Sequence, residues 1–415
     1  MKHEQLLKKL EEYHQNTDDN IVGVGYGYKT KNGILTDQLS IIFTVKKKIS
    51  IKQLKSNQIL PKEIDIDNDK IITDVVERTF KFFCDESFYL WENPGYTVTN
   101  RNNFRPLKGG ISFTNFSSLS EYVSTLGFFA KDNETNSIVG VTNNHALLDD
   151  GFICSERNNP ESTVSNIAYD IATQPNELIN YGFQNAIGTV KRYYPLSSVG
   201  YNYVDVALTT IYSGTTFIDT GVSFSQEGLT NVTTFLEFAT TEEIDNLLVS
   251  GTTSYNPLLY SAGRTTGAKG EGVTKLLVYE FPVIVSVDYN KQSISGVTVD
   301  FSDLIAFVAT TGTTQPIEFI CDYPIAGGDS GSALIADISG TLKIIGLCFA
   351  GSTDVGLACR IDHVANLMNI SAWNGETINF SDTSNIMEYT INGLSDQIYI
   401  DHEEKRYWQV GLKNI

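Results

Sequence analysis

Apolar residues recur at every second position along much of this chain, which is the period of a half-buried β-strand. In residues 21–29 valine and tyrosine alternate with glycine, and a second alternating run occupies residues 39–45. Asn32-Gly33 lies between the two runs. The pattern predicts a hairpin whose glycine face admits the close approach of another backbone or helix. Residues 3–15 have apolar residues at helical spacing instead, and we predict a short charged helix there.

Beyond residue 109, strand-like runs follow one another at short spacing in two series. A helix is predicted between the series, over residues 241–249, because Thr240 and Glu243 form a capping pattern at its start. The first series comprises residues 111–113, 125–130, 138–142, 187–193 and 204–211. The second comprises residues 255–262, 274–289, 296–300, 303–309, 317–321, 332–336 and 343–350. Two such series indicate two β-barrels or a pair of sandwiches.

These patterns predict a mainly β chain of several units. The units are an N-terminal α+β module (1–80), a linker (81–108), a first β-barrel with a helical insertion (109–250), a second β-barrel (251–369) and a C-terminal extension (370–415). For the aromatic residues of the extension we prefer packing on the barrel. An oligomer contact is the alternative, because aromatic residues are enriched at interface cores.

Charge and cysteine content narrow the function classes. The chain carries 30 Lys and Arg against 49 Asp and Glu, a net charge of −19 that repels nucleic acid and anionic membranes. Neither a signal-peptide core nor a membrane-spanning apolar run is present in the sequence. The five cysteines are widely spaced without a CxxC pair, which favours free thiols over disulfides or zinc. We therefore expect a cytoplasmic protein with no metal or cofactor.

The segment GVGYG suggests a phosphate-binding loop at first sight. Its spacing is G-x-G-x-G rather than G-x-G-x-x-G, and the period of two continues after it instead of opening a helix. A nucleotide-binding role is therefore disfavoured.

Three patterns, in the order histidine, aspartate and serine, carry the candidate chemistry. His145 follows a predicted strand, Asp205 lies within an apolar run, and Ser330 lies in the sequence GGDSGS. A serine hydroxyl is a weak nucleophile that needs an imidazole as general base, and the imidazole needs a carboxylate to fix its tautomer. Asp170 and Asp219 remain open as alternatives to Asp205. The glycines around Ser330 would let the turn present backbone N–H groups to a developing oxyanion.

GDSGS, preceded by the ordered histidine and aspartate, resembles the chymotrypsin-like (trypsin-like) serine proteases, a family with a double β-barrel fold. The likeness is narrower to the intracellular trypsin-like peptidases grouped with the plant narrow-leaf protein. The stretches that carry it are IVGVGYGY, TDVVE, RPLKGGIS, TLGFFAKD, TNNHALL, IGTVKRYYPL, NYVDVAL and GRTTG.

Position by position, the resemblance implies a role for each residue of the site. His145 would be general base and acid, Asp205 the orienting acid and Ser330 the nucleophile. The oxyanion donors would be the N–H groups of Gly328 and Ser330. A strand that borders the specificity pocket and pairs with the substrate backbone would contain Cys348, Phe349, Ala350 and Gly351.

The resemblance also implies an ion pair between Arg264 of GRTTG and Asp329, which would make activation by cleavage unnecessary. The sequence departs from the digestive enzymes at Asn143 and Asn144, where alanines are usual. Pro324 stands where trypsin-like enzymes place the base of the pocket, so specificity for Arg or Lys is not supported, although Asp322 nearby keeps the question open.

The sequence thus predicts a serine endopeptidase acting through an acyl-enzyme, a regulated intracellular enzyme with a restricted protein or peptide substrate. The rival hypothesis is a protease-fold scaffold that turns over weakly or not at all and binds a partner protein. A homo-oligomer contact or regulatory partner would use the N-terminal module or the C-terminal extension. The sequence leaves open the cleavage preference, the oligomeric state and the trigger of activity.

Overall fold

The structure is a computed structural model, and it describes most of the predicted strands. The described residues are 6, 8–11, 19–66, 69–82, 107–115, 123–147, 153–154, 171–174, 186–211, 236–248, 257–270, 274–291, 294–314, 317–318, 324–373, 385–391, 394–401 and 406–409.

Strands dominate, so the predicted fold class, mainly β and built on β-barrels, is confirmed; six of the strands close a barrel. The strands are β1 (Ile21–Lys31), β2 (Ile34–Val45), β3 (Glu63–Ile66), β4 (Asp69–Glu77), β5 (Phe80–Phe82), β6 (Ile111–Asn115), β7 (Ser124–Leu126), β8 (Phe128–Asp132), β9 (Ser137–Thr142), β10 (Ile153–Cys154), β11 (Ile171–Thr173), β12 (Ala186–Tyr193), β13 (Leu196–Ser197), β14 (Tyr201–Asn202), β15 (Ala207–Thr210), β16 (Glu237–Phe238), β17 (Leu259–Gly263), β18 (Gly267–Lys269), β19 (Lys275–Lys291), β20 (Ile294–Ser302), β21 (Leu304–Thr310), β22 (Ile317–Glu318), β23 (Ala333–Ile338), β24 (Thr341–Gly351), β25 (Val355–Arg360), β26 (Ile370–Ala372), β27 (Asn385–Ile391), β28 (Leu394–Asp401) and β29 (Arg406–Gln409).

Helices are few and short. They are α1 (Asn144–Leu147), α2 (Thr241–Asp245) and α3 (Ile361–Met368), with 3₁₀ turns at Ile51–Gln53 and Ser56–Gln58. Residues 6 and 8–11, within the predicted N-terminal helix, are also helical. Within the described residues, no helix is long and apolar enough to cross a membrane.

The predicted capping pattern forms at α2. Thr240 Oγ1 accepts a hydrogen bond from the Glu243 N–H at 3.2 Å, and Glu243 Oε2 accepts one from the Thr240 N–H at 2.9 Å. The helix ends at Asp245, earlier than the predicted residue 249. The cap therefore fixes the start of the helix, and the helix itself is shorter than predicted.

The first large sheet contains eight strands in the order β26-β8-β9-β15-β12-β11-β6-β7. Its core is closed by Trp373 from the C-terminal extension, whose side chain is buried among the apolar residues of this sheet. This is the packing on the barrel that we preferred for that residue. The other aromatic residues of the extension have side chains outside the described part of the chain.

The second large sheet joins the strands of the second series to the N-terminal hairpin. Its main path runs β18-β17-β23-β24-β25-β21-β19-β1-β2-β4-β3. β1 pairs with β19, and a Cβ added at Gly25 or Gly27 would overlap atoms of Glu280 or the carbonyl oxygen of Tyr279. The glycine face of the hairpin thus receives a second backbone, as its pattern predicted. The predicted N-terminal module and second barrel share this sheet; the division into domains stays a prediction.

Candidate active site

The three residues of the candidate triad come from the two large sheets. His145 lies in α1, directly after β9, and Asp205 lies directly before β15. Pairing of β9 with β15 places these two residues side by side in the first sheet. Ser330 precedes β23 of the second sheet, and its carbonyl oxygen accepts a hydrogen bond from the Thr125 N–H at 2.8 Å. That bond joins the serine turn to the first sheet.

A continuous hydrogen-bonded chain links the three side chains. Asp205 Oδ2 bonds His145 Nδ1, and Asp205 Oδ1 accepts the His145 backbone N–H at 3.1 Å. His145 Nε2 lies 2.9 Å from Ser330 Oγ. All three residues are buried, with relative exposures of 0 %, 0 % and 1 % for His145, Asp205 and Ser330. The carboxylate thus binds both the ring and the backbone of the histidine, which fixes the imidazole toward the serine.

Two asparagines and a cysteine bond backbone groups at and near the candidate triad. Asn143 Nδ2 donates to the carbonyl oxygen of Asp205 at 2.7 Å, and Asn144 Nδ2 donates to the carbonyl oxygen of Tyr194 at 2.9 Å. The Asp205 N–H points to Cys359 Sγ at 3.2 Å. In the sequence, the two asparagines stood out only as departures from the digestive enzymes. Their position next to His145 was the one signal that they belong to the site.

The turn that carries Ser330 depends on two glycines. Gly328 and Gly331 have φ angles of +92° and +93°, a region that residues with a side chain rarely adopt. A Cβ at Gly331 would also overlap the carbonyl oxygen of Thr125. Neither the Gly328 N–H nor the Ser330 N–H donates to any other described residue. Among the described residues, both N–H groups that we predict as oxyanion donors are therefore unengaged.

Backbone amides hold the carboxylate of Asp329, for which the sequence predicts an ion pair with Arg264; that ion pair stays a prediction. Asp329 Oδ1 accepts the backbone N–H groups of Thr265 and Thr266 at 2.8 and 3.0 Å, and Oδ2 accepts the N–H of Ala326 at 2.9 Å. The GRTTG segment thus binds Asp329 through the backbone N–H groups of the two threonines that follow the arginine.

The predicted substrate strand is part of β24 and lies next to the nucleophile. Ser330 Oγ is 3.4 Å from the carbonyl oxygen of Phe349. Cys348 contacts the serine turn: its carbonyl oxygen accepts the Gly331 N–H at 2.9 Å, and its side chain is fully buried. Burial raises the pKa of the Cys348 thiol to about 12, so this cysteine is an inert packing group.

Ala350 and Gly351, the other two predicted substrate-binding residues, are already paired. They lie opposite Phe82 and Lys81 of β5 in an antiparallel ladder. This contact was not predicted from the sequence, in which residues 81 and 82 fall in the predicted linker.

The remaining candidates are placed as follows. Asp170 and Asp219, the alternatives to Asp205, lie outside the described residues. His363, one of the other histidines, binds Asp303 Oδ2 through Nε2 at 2.7 Å. The described part of the chain contains no group of three or more His, Cys, Asp or Glu side chains that would hold a metal ion.

Comparison with known proteins yields structural matches only. Protease A of Thermobifida fusca is 14 % identical, with a TM-score of 0.36, over 64 % of this chain and 98 % of that one. The chymotrypsin of Cellulomonas bogoriensis is 13 % identical, with a TM-score of 0.35, over 65 % and 100 %. A glutamic-acid-specific serine protease is 12 % identical, with a TM-score of 0.36, over 64 % and 100 %. No protein-family model and no curated protein matches the chain.

Proposed function

We propose that this protein is a serine peptidase that cleaves peptide bonds through Ser330, His145 and Asp205. The observation that carries the proposal is the buried hydrogen-bonded chain from the Asp205 carboxylate through the imidazole to the serine hydroxyl. An activated serine needs a base within hydrogen-bond distance, and that base must be oriented by a third group.

In the proposed reaction, Ser330 Oγ attacks the carbonyl carbon of a peptide while His145 Nε2 takes the hydroxyl proton. Asp205 stabilises the imidazolium that forms. The oxyanion is bound by the N–H groups of Gly328 and Ser330, and loss of one such donor typically costs about 10²–10³ in rate. The C–N bond then breaks as His145 protonates the leaving amine. Water, deprotonated by His145, hydrolyses the acyl-enzyme and restores the serine.

Regulation and a restricted substrate are part of the proposal. Ser330 is only 1 % exposed, so a substrate reaches it only if a covering element of the chain moves. We also place the enzyme in the cytoplasm, because the thiols of Cys348 and Cys359 are both free and buried. The burial of Ser330 also favours the second candidate, an inactive scaffold that binds a partner protein.

Labelling with diisopropyl fluorophosphate separates the two candidates. An activated Ser330 forms an O–P bond, fluoride leaves, and the hydroxyl proton passes to His145. We expect one adduct per folded chain over hours, located on Ser330 by mass spectrometry and absent from Ser330→Ala. A chain that stays folded by circular dichroism yet never forms the adduct would be the scaffold.

A further inference from the structure

A three-residue strand of the chain itself fills a slot next to the candidate nucleophile. β5 pairs with β24 on one side, where Phe82 lies opposite Ala350 and Lys81 opposite Gly351. On its other side it pairs with β19, where Phe80 lies opposite Val287. Backbone groups on both edges of β5 are therefore engaged, and the edge of β24 beside Ser330 has no free ladder positions at Ala350 and Gly351.

The side chain of Phe82 covers the imidazole of the candidate triad. Its ring centroid lies 5.0 Å from that of His145 at an interplanar angle of 64°, and 5.8 Å from the rings of both Phe301 and Phe349. Phe82 is only 2 % exposed, whereas the side chain of Lys81, the preceding residue on the strand, is exposed to solvent. Edge-to-face packing of this kind stabilises aromatic pairs beyond their buried area. Phe82 therefore covers His145, and the pairing of β5 with β19 and β24 holds Phe82 in that position.

A partly buried ion pair anchors β5 at its N-terminal side. Arg78 Nε and Nη2 donate to Asp354 Oδ1 and Oδ2 at 3.0 and 2.6 Å, a bidentate pair. The guanidinium also lies over the rings of Phe80 and Tyr279, at 6.0 and 5.5 Å from their centroids. Asp354 belongs to the turn that follows β24, where Ser352 Oγ donates to its carboxylate at 2.7 Å. The clamp therefore ties β5 to the end of the strand that it covers.

An extended peptide binds a sheet edge by adding a strand, with backbone hydrogen bonds for affinity and pockets for alternate side chains. β5 already makes those bonds, and the covalent connection gives it the high effective concentration of an intramolecular ligand. We propose that Phe80–Phe82 is a built-in inhibitory strand, which holds the substrate edge of β24 and which a substrate peptide must displace. This inference rests on the proposed peptidase function.

Two probes separate access to the edge from reactivity of the serine. Diisopropyl fluorophosphate needs an activated Ser330 and an opening wide enough for a small molecule, whereas a trialanyl diphenyl phosphonate must also lay its peptide along β24. We expect Phe82→Ala to raise the rate of labelling by the peptidyl probe at least about tenfold. The matched control, Lys81→Ala, changes an exposed side chain of the same strand and should label at the wild-type rate.

A second variant guards against misfolding, because truncation of a buried phenylalanine typically costs about 3–5 kcal/mol. Asp354→Asn weakens the clamp outside the slot and should raise the peptidyl labelling rate in the same direction. Hydrogen exchange gives a direct readout on the wild-type protein. Amides of residues 80–82 should lose protection when the trialanyl phosphonate is attached to Ser330.

The outcomes are distinct. Equal peptidyl labelling rates in wild type, Phe82→Ala and Asp354→Asn, or protection retained at residues 80–82 in the adduct, would overturn the inhibitory strand and leave the peptidase standing. Absence of any adduct with either probe, in folded wild type and folded variants alike, would overturn the proposed function itself.

Discussion

At the scale of single residues, the site is built on carboxylates that bind more than one partner. Asp205 holds both the ring and the backbone of His145, and Asp329 collects three backbone amides that shape the serine turn. A carboxylate that receives several N–H donors is strongly oriented, which suits groups that position others instead of reacting themselves.

Asp205→Asn tests the orienting role. The amide would fill the same space but would donate toward His145 Nδ1, so the imidazole would adopt the wrong tautomer to accept the Ser330 proton. We expect the rate of diisopropyl fluorophosphate labelling to fall by about 10⁴, the loss known for this exchange in a Ser-His-Asp triad. The melting temperature should stay within a few degrees of wild type. An unchanged labelling rate would remove Asp205 from the triad.

Asp329→Ala tests the serine turn. The change leaves the partly buried N–H groups of Ala326, Thr265 and Thr266 without their acceptor, and loss of the acceptor for a fully buried N–H group costs about 1–3 kcal/mol. We expect a clearly lower free energy of unfolding in urea and a slower labelling of Ser330. A variant as stable as wild type would show that these three bonds do not hold the turn.

These residues also show how far the sequence reached. His145, Asp205 and Ser330 were predicted in the order and with the partners that the structure gives them, because their flanking strands and glycines leave a local signal. The partner of Asp329 was not predictable, since an arginine in GRTTG suggested a side-chain cation, whereas the chain path brings backbone amides to the carboxylate.

At the scale of elements, close approach decides which strands meet. The glycines of β1 accept β19, and the pairing extends the second sheet with the N-terminal hairpin. The hairpin was predictable from its alternation and its turn. The place of β5 was not, because three residues carry too little pattern and their partner, β24, lies far along the chain.

Gly27→Ala tests this approach. The added methyl group would overlap the carbonyl oxygen of Tyr279, a backbone atom that cannot rotate away. We expect the free energy of unfolding to fall by about 2 kcal/mol or more, as for other overpacked sites. Gly312→Ala is the matched control, because nothing lies within 4 Å of a Cβ at that position. Equal losses in the two variants would contradict the packing role of Gly27.

At the scale of the whole molecule, one buried acid makes the stability depend on pH. Burial raises the pKa of Glu280 to about 8, although the nearby Arg78 acts in the opposite direction. Between pH 4.5, the ordinary pKa of a glutamate, and about pH 8, the unfolded chain is ionised at this residue while the folded chain keeps the proton. The unfolded state therefore binds fewer protons, and stability falls as the pH rises through this window.

Glu280→Gln should remove this fall. The variant and the wild type should be similar in stability near pH 5, and the variant should be more stable than wild type by over about 1 kcal/mol at pH 9. Urea unfolding at four or five pH values measures the difference, in which the other titrating groups cancel. Parallel pH profiles for the two proteins would place the titration elsewhere.

The central claim is that the fold activates one serine through one histidine and one aspartate. Its most direct measurement is the rate of phosphorylation by diisopropyl fluorophosphate, with the modified residue located by mass spectrometry, in wild type, His145→Ala and Asp205→Asn. We expect a single adduct on Ser330 in the wild type and a phosphorylation rate lower by about three orders of magnitude or more in both variants. Equal rates in the three folded proteins, or an adduct on another residue, would contradict it.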